Sequence, residues 1–299
     1  MNDVVSAIVR SDTLRAVAVI VRQDGPAYRP LGAMMVIYDD LSFDGHISSG
    51  CIEADIIAHC RELDAAKILQ YGTGSPFADL HLPCGGTMDV LLTPLPDKTR
   101  FQEIEAALAC RTTAALGIST LNGEITPSDA EATKRINDTL HIHFEPPLHF
   151  CVYGNGLEAK VFAELTNGAG YDVALFSTAA AILEKCDLPQ PSRHLMPRPA
   201  IKHPEALDAW TAIVLFFHEH ELETQILLDA LTTDAFYIGA QGSYSAHQNR
   251  LAELERLGAS DLERIRGPIG LIQKTRDPQT LAISVLAEIH SVAQQQGLP

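Results

Sequence analysis

The sequence predicts an α/β protein: a mixed α/β domain followed by a second domain built on a parallel sheet. Three observations predict it. Through the second half, short and almost continuously apolar strand candidates alternate with amphipathic helix candidates, the pattern of a parallel sheet covered on both faces. The first of those strands runs into its helix through Tyr153-Gly154-Asn155-Gly156-Leu157-Glu158-Ala159, a G-x-G-x-x-A turn of the kind found in Rossmann-like domains. Finally, residues 122–147 concentrate turn formers, which reads as a hairpin and then a linker, and places a boundary between domains 1–147 and 148–299.

Each element has its own reason. In the first domain residues 14–21 and 34–37 are apolar strands, and residues 52–63 a helix that aligns Ile52, Ile56 and Cys60. Residues 88–92 read as a strand and 101–116 as a helix, with no topology implied. In the second domain, strand 148–153 leads to a helix in which Leu157, Val161 and Leu165 recur every four residues, ending at Asn167-Gly168. Strands follow at 171–176, 210–217 and 235–239. Leu222, Ile226 and Ala230 share a helix face, residues 245–257 form a helix closed by Gly258, and Asp277-Pro278 opens the last helix as N-cap and first residue. Five prolines between residues 186 and 209 exclude a long helix or central strand there and mark a crossover.

Composition narrows the function. The 299 residues are 46% hydrophobic and 20% charged, which excludes global disorder. With 22 Lys+Arg against 38 Asp+Glu the net charge is −16, which argues against a nucleic-acid partner. Six cysteines without a C-x-x-C pair fit a reducing cytoplasm. The apolar run 210–217 is too short to span a bilayer and residues 1–12 carry no signal-like core, so neither a membrane anchor nor export is expected.

Four features bear on chemistry. Gly154 and Gly156 let backbone approach a phosphate at a helix N-terminus, or they simply form a tight turn. A nicotinamide dinucleotide, NAD(P), is one reading, but the next strand ends Phe176-Ser177-Thr178 without the acid that would hold a ribose, which weakens an NAD(P)-dependent oxidoreductase. Two glycine-cysteine loops, one around Ser49-Gly50-Cys51 before a helix and one at Cys84-Gly85-Gly86 before a strand, could supply lowered-pKa thiols as nucleophiles, sulfur carriers or soft metal ligands, or only small buried side chains. His218 ends the third strand of the second domain, where ligands bind in open α/β sheets, or caps the next helix; His141, His143 and His149 lack zinc spacing. Gly239, Gly242 and Ser243 form a second strand-to-helix turn able to face a phosphate, and Arg193, His194, Arg198, Lys202 and His203 make the crossover locally basic.

In order along the chain, these residues resemble the xanthine dehydrogenase accessory protein family, the XdhC/CoxI family. Ser48-Ser49-Gly50-Cys51-Ile52-Glu53 resembles its Gly-Gly-Cys-x-Glu motif, and Pro83-Cys84-Gly85-Gly86 its Cys-Gly-Gly motif. The turns at residues 153–156, 237–243 and 268–271 and the helix opened by Asp277-Pro278 follow in the family's order. The resemblance implies a molybdenum cofactor chaperone without turnover of its own. Such a protein binds molybdopterin or its cytosine dinucleotide form, supports its sulfuration through a cysteine desulfurase, and delivers it to a xanthine dehydrogenase or aldehyde oxidoreductase apoenzyme, a molybdenum hydroxylase. A homodimer is compatible with it. It also assigns Ser49, Gly50, Cys51, Glu53, Cys84, Gly85 and Gly86 to cofactor binding, with Gly154, Gly156, His218, Gly239, Gly242 and Ser243 in the second domain. Ser49 stands where the motif has glycine and Leu157 where it has histidine, so Cys51 and Cys84 rank ahead of Gly154 and Gly156.

Overall fold

In a computed structural model that describes all residues except 27, 49, 51, 73–85, 95–96, 197–206, 218–219 and 273–274, and the side chains of 220 and 221, the chain divides into two units, Met1–Pro146 and Pro147–Pro299.

The first unit begins with α1 (Asn2–Arg10), which buries Val4, Val5 and Ile8. The strands β1 (Leu14–Asp24), β2 (Met34–Tyr38) and β3 (Phe43–Gly45) follow, then α2 (Glu53–Cys60), β4 (Lys67–Gly72) and β5 (Thr87–Pro94). The five strands form one antiparallel sheet in the order β3-β2-β1-β5-β4. The continuous apolar run in β1 arises because both sheet faces are covered. Val17, Val19 and Val21 pack in one core with residues of α1, while Ala16, Ala18 and Ile20 pack in another with Ile52, Ile56 and Cys60.

After α3 (Lys98–Ala109), capped by Asp97 accepting from Thr99 N–H, come β6 (Ala114–Ser119), β7 (Ile125–Pro127), β8 (Lys134–Ile136) and β9 (Thr139–Phe144). They form a four-stranded antiparallel sheet in the order β7-β6-β9-β8. Two expectations change here. The helix expected over 101–116 stops at Ala109, because Arg111 turns left-handed (φ 58°) and Thr112 hydroxyl bonds back to Ala107 carbonyl, after which β6 begins. The turn-rich segment 122–147 contains three paired strands where a hairpin and linker were expected; Asn122-Gly123 turn into β7, Ser128-Asp129 and Asn137-Asp138 lie between the strands, and Pro146-Pro147 follow β9.

The second unit alternates strand and helix: β10 (His149–Gly154), α4 (Leu157–Gly168), β11 (Asp172–Ser177), α5 (Ala180–Glu184), β12 (Arg193–Leu195), β13 (Thr211–Phe216), α6 (His220–Leu231), β14 (Tyr237–Ala240), α7 (Tyr244–Arg256), β15 (Ile265–Arg266) and α8 (Pro278–Gln295). The six strands among its described residues are parallel in the order β12-β11-β10-β13-β14-β15, so the order in which strands are added switches sides between β10 and β13 and a Rossmann switch point lies at their carboxyl ends. One face is covered by α4 and α8, the other by α6 and α7. The buried stripe of α4 is Ala159, Phe162, Ala163 and Thr166; Leu157 and Leu165, expected to face the core, are 52% and 37% exposed. Small residues at 159 and 163 let the helix lie close on the sheet, so spacing of the leucines alone misplaces the face.

Candidate functional site

The antiparallel pairing of the first sheet brings five strand ends to one edge. Val19 pairs with Met34, Met35 with Gly45, Asp24 with Thr87 and Gly72 with Thr87, so the ends of β1, β3 and β4 and the starts of β2 and β5 all point to one end of the sheet, those of β2 and β3 about five residues short of the others. From this edge leave both cysteine-bearing stretches: residues 46–52 follow Gly45, and residues 73–85 are bounded by Gly72 and Gly86. Gly45 stands level with Leu92 of β5, through Met35 and Ala18, so three interstrand steps of about 4.8 Å and a further five residues of about 3.4 Å each along β5 separate it from Thr87. Ser49, Cys51, Cys84 and Gly85 themselves lie outside the described residues.

The described part of the first loop is held by Glu53. Its buried carboxylate accepts from the N–H of Ile47 at 3.2 Å, from the N–H of Ser48 at 2.7 Å and from the Ser48 hydroxyl at 2.6 Å. The Ser48 hydroxyl oxygen in turn accepts from Gly50 N–H at 3.1 Å and Ile52 N–H at 3.4 Å. Burial opposes the charged form of Glu53, but the hydrogen bonds from Ser48 and Ile47 outweigh it and hold the carboxyl below its ordinary range. The loop is therefore anchored at both ends of residues 48–52, and Asp55 on α2 is tied to β4 by Tyr71 hydroxyl at 2.8 Å.

Gly45 makes the turn into this loop. Its φ is 81°, and a Cβ there would lie 2.5 Å from Met34 carbonyl and 2.6 Å from Val4 Cγ2. The next residue, His46, sets its ring edge-on to Phe43 with centroids 5.8 Å apart. Two clefts open beside it. One, of about 480 Å³, is lined by Ser48, Gly50, Glu53, Ala54 and Ile57 together with Phe43, Arg29 and His46. The other, of about 1220 Å³, runs between α1 and the β2–β3 hairpin. Among the described residues, Arg29 and His46 are common to both linings. Sequence reading did not single them out: both lie in irregular backbone, and only the position of His46 directly after a turn glycine hints at its placement. Gly86 packs against the same edge, where a Cβ would come 2.4 Å from Pro26 carbonyl.

In the second unit the glycine turns are occupied by packing. A Cβ on Gly154 would lie 2.7 Å from Ala159 Cβ and 2.9 Å from Phe216 carbonyl, so this glycine brings α4 close to the sheet. Gly156 is the N-cap of α4. Between them Asn155 reaches across to the end of β11, where its side-chain oxygen accepts from Ser177 hydroxyl at 2.9 Å, Thr178 N–H at 2.9 Å and Thr178 hydroxyl at 3.0 Å. The place where a nicotinamide-binding fold holds a ribose is thus bonded to the glycine turn itself. Gly239 leaves room for the Tyr237 ring, which would lie 2.4 Å from its Cβ, and Ser243 caps α7 by accepting from Ala246 N–H at 3.1 Å. Gly242 lies over Arg250, whose guanidinium donates to Gln241 carbonyl at 2.8 Å and makes a buried ion pair with Glu223 at 3.0 Å. His218 lies outside the described residues.

The remaining candidates are engaged locally. His141 pairs with Ser128 hydroxyl, His143 with Ala130 carbonyl, and His149 with Asp172 at 2.8 Å. Among the described residues no group of three His, Cys, Asp or Glu side chains is arranged to hold a metal. In the crossover Arg193 donates to Leu183 carbonyl at 3.0 Å, and His194 stacks on Phe176 at 4.6 Å, its pKa lowered by burial and by His149. Arg198, Lys202 and His203 lie outside the described residues. No helix among the described residues is long and apolar enough to cross a membrane.

Comparison with known proteins agrees with this architecture. Residues 150–289 match the XdhC Rossmann domain and residues 9–72 match the XdhC and CoxI family. The chain is 33% identical over 279 residues to the molybdenum cofactor insertion chaperone PaoD of Escherichia coli, covering 91% of this chain and 81% of PaoD. A crystal structure of a Bacillus halodurans protein described as a xanthine dehydrogenase shares the fold, with TM-score 0.80 and 18% identity over 99% of this chain and 96% of that one. Two matched domains, the cysteine-loop edge and the Rossmann sheet thus lead to one assignment: the chain belongs to the XdhC and CoxI family.

Proposed function

We propose that this chain is a molybdenum cofactor insertion chaperone that carries molybdopterin, or its cytosine dinucleotide form, as cargo. The observation that carries this reading is the 33% identity, over 91% of the chain, to a protein described as such a chaperone. The edge of the first sheet supports it physically. A cargo with sulfur-ligated metal and a phosphate calls for soft ligands beside cation and amide donors. Cys51 and Cys84 belong to the two stretches that leave this edge, and Gly50, Ser48, Arg29 and His46 line the cleft beside one of them. In this reading Cys51 and Cys84 contact the cargo, Glu53 fixes the loop that presents Cys51, and Gly85 and Gly86 let the second stretch approach closely. The partners are a molybdenum hydroxylase apoenzyme of the xanthine dehydrogenase or aldehyde oxidoreductase type and a cysteine desulfurase, in the cytoplasm, with the chaperone as a homodimer.

The test is retention and delivery. Purified from a molybdopterin-producing host, the wild type should carry molybdenum and pterin in equal amounts and activate an apoenzyme. Cys51→Ser and Cys84→Ser should fold normally and lose most of both. A wild-type chain that retains no pterin and activates no client would overturn the reading. The alternative, an oxidoreductase using NAD(P) at the Gly154 turn, is disfavoured by the bonds from Asn155 to Ser177 and Thr178.

A further inference from the structure

We propose that Arg29 and His46 form the phosphate-binding contact of the cysteine-loop edge, holding a phosphate monoester or pyrophosphate where the two clefts meet. The inference rests on the proposed cargo for its biological meaning and on geometry for its argument. Of the described residues around the two clefts, these two line both. Among the described residues the Arg29 guanidinium makes no hydrogen bond or ion pair, although the chain carries 38 acidic residues against 22 Lys and Arg. A guanidinium without a partner among the described residues, on the same linings as an imidazole, offers fork-like N–H donors suited to phosphate oxygens.

Two of the acids around the larger cleft are already engaged by donors. Asp44 accepts from Tyr38 hydroxyl at 2.5 Å, and Asp40 accepts from the N–H and hydroxyl of Ser42 at 2.9 and 2.5 Å. Asp40 sits at the tip of the β2–β3 hairpin and Asp44 on β3 two residues before His46; Glu53, the carboxylate on the smaller lining, is likewise engaged by Ile47 and Ser48, and Asp3 on α1 is the third carboxylate on the larger one. Position also favours the pair: His46 is fixed by the Gly45 turn and the Phe43 ring, and the backbone carbonyl of Arg29 accepts from the Gln23 side chain. At about 480 Å³ the cleft beside Gly50 lies within the usual range for a small-molecule site, and Arg29 and His46 are on its lining.

Titration calorimetry of the full-length chain with inorganic pyrophosphate, and separately with inorganic phosphate, tests this without any molybdenum. Pyrophosphate should bind, and Arg29→Ala and His46→Gln should each weaken it about tenfold or more, the loss expected for one charge-assisted contact. Arg100→Ala, on a different helix and paired with Glu103 at 2.6 Å, should bind as the wild type does. Circular dichroism of each variant separates lost contact from lost fold. No binding by the wild type at millimolar pyrophosphate, or equal binding by both variants, overturns the inference. Retention of molybdopterin unaffected by either substitution also overturns it while leaving the chaperone reading intact. Conversely, Arg29-dependent pyrophosphate binding in a chain that never retains pterin overturns the chaperone reading and supports this one.

Discussion

Ser48 and Glu53 are bonded to each other twice, the Ser48 N–H donating to one carboxylate oxygen at 2.7 Å and its hydroxyl to the other at 2.6 Å. Glu53→Gln replaces an acceptor with a donor facing donors, and should destabilise the first unit by about 1–3 kcal/mol in urea unfolding. The pH dependence has a definite sign. Burial opposes the charge on Glu53, the hydrogen bonds outweigh it, and the folded pKa lies below the unfolded one. Its contribution is therefore full above the ordinary glutamate range and is lost as pH falls through the lowered folded value. The melting-temperature gap between wild type and Glu53→Gln should be widest near neutrality and narrow in acid; a gap that widens in acid contradicts the assignment.

Arg250 and Glu223 are buried partners, 6% and 1% exposed, linking α7 to α6 beneath the β14–α7 turn. Removing one leaves the other charged and enclosed. Arg250→Ala or Glu223→Ala should lower stability by about 3–5 kcal/mol, while a double replacement by apolar residues of similar size should recover much of the loss. Additive single losses in the double variant would mean the pair is not coupled.

Gly154 and Gly156 should respond differently to alanine. At 154 the new Cβ meets Ala159 Cβ at 2.7 Å and a strand carbonyl at 2.9 Å, forcing α4 off the sheet at about 1–3 kcal/mol. At 156 it meets only the Glu158 carboxylate, which swings away, so the loss should stay below about 1 kcal/mol, an N-cap preference. Equal destabilisation by the two in thermal unfolding would contradict this packing.

Asn155 accepts three hydrogen bonds from Ser177 and Thr178, closing the first strand-to-helix turn onto β11. NAD(H) and NADP(H) should therefore produce no thermal shift in the wild type. Asn155→Ala should destabilise by about 1–3 kcal/mol, since its loss leaves three donors to find new partners. Micromolar nicotinamide binding by the wild type would reverse this conclusion.

Much of the second unit is legible from local pattern, because a parallel strand buried on both faces is apolar along its length and β10, β11, β13 and β14 all show it. Strand order is not, since it is fixed by pairings between residues more than twenty positions apart, such as Cys151 with Ala174 and Ile213. Periodicity also misled where packing favours small residues, as with Ala159 and Ala163 in place of Leu157 and Leu165. In the first unit, α1 is short and escaped notice, although Val4, Val5 and Ile8 seal one face of the sheet. As for the site, the glycine-cysteine stretches are visible as motifs. Arg29 and His46 are not, because what distinguishes them is a shared position at one sheet edge, set by the register of five strands.

Gly72 and Gly86 meet at that edge, where a Cβ on Gly72 would come 2.2 Å from Gly86 carbonyl and Gly72 is paired with Thr87. Whatever lies between them in sequence begins and ends at a fixed clasp, so the register of β4 and β5 does not depend on its length. Closing a longer stretch is inexpensive, about 0.6 kcal/mol for each doubling. The stretch ahead of Cys84 can therefore change in length or composition at little cost to the sheet beneath, while the Gly86 end, two residues after Cys84, stays fixed to the clasp.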